Sequence, residues 1–379
     1  MRYKKPFTLY SRKIKGGKRV FYYRTYDENG RRTFGKSTGE TNRARAEQYV
    51  ADQIRKGELI PKKEMTFARY AEDWWVWDKC SYIRGKLARN QNLTRSYADH
   101  QRTFLKNHTL PAFGNKYLTR ITPHDIENWI LGMKDSGLSD SSIYTAYSGL
   151  RVMLREAVRR DLLYKNPAER VHPPSRNTSE KGIFTIDEVK MLLSEEALQI
   201  IWKDDIIHFT ANLVAASCGC RVGEIQALRG GDIKDGYIIV AHSWSRRYGL
   251  QDTKNHKTRY VPVPDRTAKH LGELKKLMGE GFLFSIDGGK RPVNYTTIRE
   301  HFYNALDAAG IPADERKKRN ISLHSLRHWF NSTMRGRVPE VKLRAVVGHS
   351  SEKMSSLYTH FVLDDFKEIA SIQGEYFGK

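Results

Sequence analysis

Apolar residues recur at spacings of three and four over most of this chain, and cluster as short strand-like runs only near its start and in its last third. "FTLYSRK" reads as a strand, "GGK" turns it, and "RVFYYRTY" returns as an aromatic and β-branched strand. Asn29-Gly30 in "DENGRR" is a hairpin signal, since both residues tolerate positive φ, and "RTFGKST" follows as a third strand. Thr41 then stands where a cap belongs for a helix over "NRARAEQYVADQIRKG", closed by Gly57. "ELIPKKE" reads as a linker.

Helical periods take over beyond it. Phe67, Tyr70, Trp74 and Trp77 fall on one stripe. Thr122-Pro123 opens a helix with Ile126, Trp129, Ile130 and Met133 on its apolar side and Gly137 at its end. Ile143, Tyr147, Leu150, Leu154 and Val158 mark another. "VHPPSRNTSEKG" is a second linker, and Thr185 with Glu188 forms a capping box after it. "GYIIVAHS" and "TRYVPVP" are the clearest strands of the last third. The pattern predicts a multidomain α+β chain. A small three-stranded sheet plus one helix occupies 1–60, and a helical bundle 65–172. A mixed, mainly-α domain with a small antiparallel sheet occupies 180–379.

Charge adds a partner to this picture. The 379 residues carry 66 Lys and Arg against 43 Asp and Glu, a net charge of +23, which points to a polyanion and first to nucleic acid. Residues 1–60 hold 16 Lys and Arg against 6 Asp and Glu, a surplus above the chain's average. Arg19, Arg24, Arg31 and Lys36 lie on or beside its strands and are the candidate DNA contacts. No segment approaches the ~20 apolar residues of a membrane span, and the start lacks a signal-peptide core, so no membrane partner and a cytoplasmic location are expected. Cys80, Cys218 and Cys220 make no disulfide framework; buried thiols are expected, and no metal.

Four pieces of the last third carry chemistry together. "CGCRVGEIQAL" places Arg221 at a helix start, one turn before Glu224. "TKNHKTRYVPV" places Lys254 in a polar turn before a strand. "LHSLRHWF" sets His324 and Arg327 three apart on one helical face. "GHSSEKMSSLYTHF" offers His349 and Tyr358. On a phosphodiester, Arg221 and Arg327 supply permanently charged forks for the nonbridging oxygens, whose charge grows in the transition state. Lys254 can protonate a leaving oxygen, His324 and His349 can donate hydrogen bonds and manage protons, and Tyr358 can attack phosphorus. Each piece alone has a plainer reading: a salt bridge for Arg221 and Glu224, a solvated turn for Lys254, a core residue for Tyr358.

In this order the pieces resemble the tyrosine recombinases, the phage-integrase family. "GCRVGEIQAL" resembles its first arginine box, "HSLRHWF" its His-x-x-Arg box and "VVGHSSEKMSSLYTHF" its terminal box. "TKNHKTRYVPV" resembles the hairpin carrying the family lysine, with Lys254 at the matching distance and Lys257 as the alternative. Residues 1–60 are similar to the arm-binding domain of lambda-type integrases, and 65–172 to the helical core-binding domain. Ser325 departs from the Asp of many relatives, at a position that is not catalytic.

The resemblance implies a site-specific DNA recombinase that integrates and excises a prophage or mobile element. It cleaves through a 3′-phosphotyrosine and exchanges strands through a Holliday junction, without cofactor or metal. Double-stranded DNA at core-type and arm-type sites and a homotetramer on DNA are the implied partners. A host DNA-bending protein and an excision factor are candidate accessories. The tail after Tyr358 is expected to dock on a neighbouring subunit through Phe366, Ile369 and Ile372. A type IB topoisomerase-like enzyme and an inactive DNA-binding regulator on the same scaffold are the rival readings.

Overall fold

In the computed structural model the described residues are 7–26, 32–55, 65–175, 182–253, 258–348 and 367–377. The chain divides into two compact units, Met1–Thr178 and Ser179–Lys379. Among the described residues, no helix is long and apolar enough to cross a membrane.

The first unit opens with β1 (Thr8–Lys13), β2 (Arg19–Arg24) and β3 (Lys36–Ser37), an antiparallel sheet in that order. Tyr10 faces Tyr22 and Thr8 faces Arg24 across β1 and β2, while Tyr23 faces Lys36 across β2 and β3. Tyr23 and Val50, the latter on α1 (Arg43–Arg55), bury each other against Phe7 and Leu9. Asn42, rather than Thr41, starts this helix. Its Oδ1 accepts the Ala44 and Arg45 N–H groups at 2.8 and 3.3 Å, the geometry of an Asn cap one residue later than expected. Asn29, Gly30 and Gly57 lie outside the described residues.

The rest of this unit is helical: α2 (Phe67–Ala71), α3 (Ser81–Leu87), α4 (Arg95–Phe104), α5 (Leu110–Phe113), α6 (Pro123–Asp135) and α7 (Asp140–Arg159). The expected cap at Thr122 is a full capping box with Asp125. Ile126, Ile130 and Met133 meet Ile143, Tyr147, Leu150 and Leu154 in one core. The phenols of this core find acceptors: half-buried Tyr70 donates to the Met153 carbonyl and buried Tyr147 to that of Ala168, both at 2.7 Å. The aromatic stripe from Phe67 does not run on as one helix. Trp75 takes φ 61°, ending the period, and that turn lets the consecutive rings of Trp74 and Trp75 both be buried.

The second unit contains α8 (Ile186–Leu193), α9 (Glu195–Ile200), α10 (Ile206–Cys218) and α11 (Val222–Ala227). Next come strands β4 (Ile233–Lys234), β5 (Tyr237–Val240), β6 (His242–Ser245), β7 (Gly249–Asp252) and β8 (Arg259–Pro262). Then follow α12 (Asp265–Met278), α13 (Tyr295–Ala308), α14 (Ala313–Lys318), α15 (His324–Met334), α16 (Glu340–Val347) and α17 (Lys367–Phe377). Thr185 and Glu188 form the expected capping box on α8. α10 is buried on every side from His208 to Cys218, and α12, α13 and α15 pack around it. β4, β5 and β8 form one antiparallel sheet; β6 and β7 form a separate hairpin. "GYIIVAHS" is therefore two strands, broken at Ala241.

The tail has partners within its own unit. Ile369, Ile372 and Phe377 of α17 are buried in the core of their own unit, against α8 and α12, and Arg266 donates to the Phe377 carbonyl at 2.7 Å. A helix with three buried apolar side chains is not free to reach a neighbour through those residues while it stays docked. Phe366 lies outside the described residues.

Candidate active site

α10 ends at Gly219, whose φ of 64° suits glycine and which leaves no room for a side chain: a Cβ there would stand 2.5 Å from the Phe330 ring. The turn delivers Cys220 into the interior and Arg221 to the cap of α11. Glu224, one turn on, reaches back to the Arg221 N–H at 2.7 Å and to Arg221 Nη1 at 2.8 Å. Both readings of the sequence meet here: Arg221 is salt-bridged to Glu224, yet a third of its side chain remains exposed.

Arg259 enters from β8. Its Nη1 and Nη2 donate to the two Glu224 oxygens at 3.0 and 2.6 Å, and its Nε donates to the Val346 carbonyl at 2.7 Å. Sequence reading missed this residue, although a signal existed. Side chains alternate along a strand, and Arg259 shares its side with Val261, which is fully buried, while Tyr260 is exposed. An arginine on the buried side of a strand demands an acidic partner.

Arg327 rises from α15 and is 2% exposed. It donates to the Gly219 carbonyl at 2.5 Å and the Val347 carbonyl at 2.6 Å, and lies 3.9 Å from Glu224. Three guanidiniums thus surround one carboxylate. Burial alone would raise the Glu224 pKa; the Arg259 charge and hydrogen bonds, with help from Arg221, reverse this and hold it down at about 2. Burial, and then the nearby Arg221, push Arg327 down to about 10.

Arg327, His324, Cys220 and Tyr295 line a cavity of about 120 Å³ walled by α10, α11 and α13. His324 is exposed at the start of α15, its ring edge-on to His328 with centroids 4.7 Å apart. Cys218 and Cys220 are buried thiols, as expected; burial pushes Cys220 up to about 11. α16 closes on Gly348, with φ 69° and the Arg259 side chain 3.4 Å from where a Cβ would stand.

Arg221, His324 and Arg327 are therefore gathered in one unit by α11 and α15. Lys254, the alternative Lys257, His349 and Tyr358 lie outside the described residues, as does Arg31. The described residues flanking them are close to the cluster: β8 carries Arg259, and α16 presents Val346 and Val347 to Arg259 and Arg327.

Residues 184–363 match the model of the phage integrase family, and residues 87–134 match the phage integrase N-terminal SAM-like domain. The chain belongs to the phage integrase family. It is a tyrosine site-specific recombinase, with relatives of that name across most of its length. Tyrosine recombinase XerD of Oceanobacillus iheyensis is 24% identical over 311 residues, 78% of this chain and 97% of the relative. The ICEBs1 integrase of Bacillus subtilis is 25% identical over 138 residues, 36% of each chain. The fold of this recombinase is similar to that of the Tn1549 transposon integrase solved with circular-intermediate DNA: TM-score 0.60, 18% identity, covering 80% of this chain and 98% of that one. It is also similar to that of a lambda integrase tetramer bound to a Holliday junction: TM-score 0.56, 18% identity, covering 94% and 96%.

In the N-terminal sheet the candidate contacts divide between two faces. Arg24 shares a side with Tyr22 and Tyr10 and lies 4.8 Å over the Tyr10 ring. Arg19 and Lys36 fall on the side of Tyr23, where α1 packs.

Proposed function

We propose that this recombinase is the integrase of a prophage or integrative element, which inserts and excises it between two duplexes through a Holliday junction. The observation that carries this reading over a Xer-type role is the small sheet with α1, which precedes the helical bundle. XerD is matched over 97% of its own length by 78% of this chain, whereas the lambda integrase fold extends over 94%. In this reading 1–60 binds arm-type sites, 65–172 and 180–379 hold the core-type duplex, and four protomers act together in the cytoplasm. A type IB topoisomerase-like role has no use for a second DNA-binding module.

Charge complementarity supports the catalytic assignment. Arg221, Arg259 and Arg327 against Glu224 leave two net positive charges. A phosphodiester carries one negative charge and its pentacoordinate transition state two, so the cluster favours the latter. Tyr358 Oη attacks phosphorus as its proton passes to solvent, the bond to the 5′-oxygen breaks, and Lys254 protonates that oxygen. His324 and His349 donate to the nonbridging oxygens. The 5′-hydroxyl of the partner duplex then displaces tyrosine, so no external energy source is consumed. A host DNA-bending protein and an excision factor would set direction.

The test is a nicked suicide duplex carrying the element's core site. Wild-type protein should form an SDS-stable adduct, while Tyr358→Phe should bind the duplex without forming one. Binding without adduct by the wild type would favour the inactive regulator, and adduct from Tyr358→Phe would remove the nucleophile assignment.

A further inference from the structure

Asp205, His208 and His301 form a tight group that the DNA chemistry above does not use. Asp205 caps α10, its Oδ1 accepting the His208 N–H at 3.2 Å. The cap fixes Oδ2, which lies 2.7 Å from His208 Nδ1 and 2.7 Å from His301 Nδ1. The two imidazoles stack with centroids 3.8 Å apart and planes 15° apart. Nitrogens from two separate helices thus converge on one oriented carboxylate oxygen.

We propose that Asp205, His208 and His301 bind one divalent transition-metal ion of the zinc class, stapling the start of α10 to α13. Two imidazoles and one carboxylate are a donor set suited to such ions, with further positions open to water. A carboxylate only accepts, so each Nδ1 carries a hydrogen in the metal-free protein. The cation replaces both protons. Bonds of about 2.0–2.2 Å set tetrahedral ligands about 3.3 Å apart, so the group opens by roughly half an ångström. The rings must also splay, because each metal–nitrogen bond lies in its own ring plane. His301 can make this move, and offers the way in: its side chain is 44% exposed, against 4% for His208. His208 Nε2 is buried with no partner among the described residues, and it takes up the proton that leaves Nδ1 of its ring, as His301 Nε2 does for the second. That cost makes the site one of moderate affinity.

The position gives the ion a consequence. Ala211 and Ala215 follow His208 along α10, and Ile298 and Tyr295 precede His301 along α13; all four line the cavity that holds His324 and Arg327. An ion here would pin the two helices that wall that cavity.

The experiment titrates chelator-stripped full-length protein with cobalt(II) and reads visible absorption. The expected result is a set of d–d bands that saturates at one equivalent and is displaced by zinc. His301→Ala and Asp205→Asn should each weaken cobalt binding by about tenfold or more, with unchanged far-UV circular dichroism. Bands that persist unchanged in both variants would assign the metal to others of the 13 histidines and overturn the proposal. So would the absence of bands at millimolar cobalt.

Discussion

Arg259 grips both oxygens of Glu224, at 3.0 and 2.6 Å, from a strand that begins just after Lys254. The same guanidinium holds the Val346 carbonyl three residues before His349. It therefore ties together the helix behind Arg221, the strand behind the lysine and the end of α16, where the terminal box begins. Arg259→Ala leaves a buried carboxylate short of its best partner and should cost about 3–5 kcal/mol. Arg259→Lys keeps the charge without the two-pronged geometry and should fall between. Urea unfolding followed by tryptophan fluorescence reads this order; three equal midpoints would refute it.

Glu224 makes stability depend on pH. Its folded pKa is depressed, so its contribution is complete above the unfolded value and is lost as pH falls through the folded one. The ordinary value is 4.5 and the folded value about 2. At 1.36 kcal/mol per pH unit this is a contribution on the order of 3 kcal/mol, lost between about pH 5 and pH 2. Glu224→Gln should be less stable than wild type at pH 6, and the gap should narrow toward pH 2. A constant gap across that window would contradict the pairing.

All three cysteines are buried, and Cys220 is pushed up to about 11. A thiol reacts as its thiolate, so the native protein should resist a disulfide-exchange reagent at pH 8. Unfolding both units in urea should release all three equivalents. One fast equivalent in the native protein, mapped to Cys220, would mean that the wall of the active-site cavity opens.

Lys254 is tested through its leaving group. Lys254→Ala should slow cleavage by roughly 10²–10⁴-fold, the range for a positioned general acid. A substrate with sulfur at the bridging 5′ position leaves without protonation and should rescue the variant. Equal defects on both substrates would move the role to Lys257 or make it purely electrostatic.

What the sequence disclosed follows from how local each signal is. Thr122 and Thr185 cap helices through contacts three residues away, so both were legible. The stripes on α6 and α7 were legible because periodicity alone decides which side is buried. Trp75 was not, since a single backbone turn overrode the period. The β6–β7 hairpin hides in the polar run "HSWSRRYGLQD", which lacks alternation. Arg259 reaches Glu224 across 35 positions, and His301 lies 96 positions from Asp205; no local pattern announces such a meeting. Motif boxes exposed Arg221, His324 and Arg327, and spacing paired Glu224 with Arg221, while the hold of Glu224 on Arg259 and its place beside Arg327 became visible only in three dimensions.

The N-terminal sheet yields a prediction from its alternation. Arg24 lies beside Tyr10 and Tyr22 on the side away from Tyr23, while Arg19 and Lys36 share the side on which α1 packs. A groove can be entered by one face of a sheet at a time, and the face away from the helix is the accessible one. Arg24→Ala should then weaken binding to arm-type DNA by about 1–3 kcal/mol if the guanidinium reads a base edge, and should relax the preference at one position of the repeat. Arg19→Ala and Lys36→Ala should weaken binding little, and equally on every sequence, with a slightly shallower salt dependence. Footprinting full-length Tyr358→Phe protein, with and without each substitution, on attachment-site DNA at several salt concentrations separates the two behaviours. Loss of the arm footprint with Arg19→Ala or Lys36→Ala, and its survival with Arg24→Ala, would show that the sheet binds through its other face or its edge.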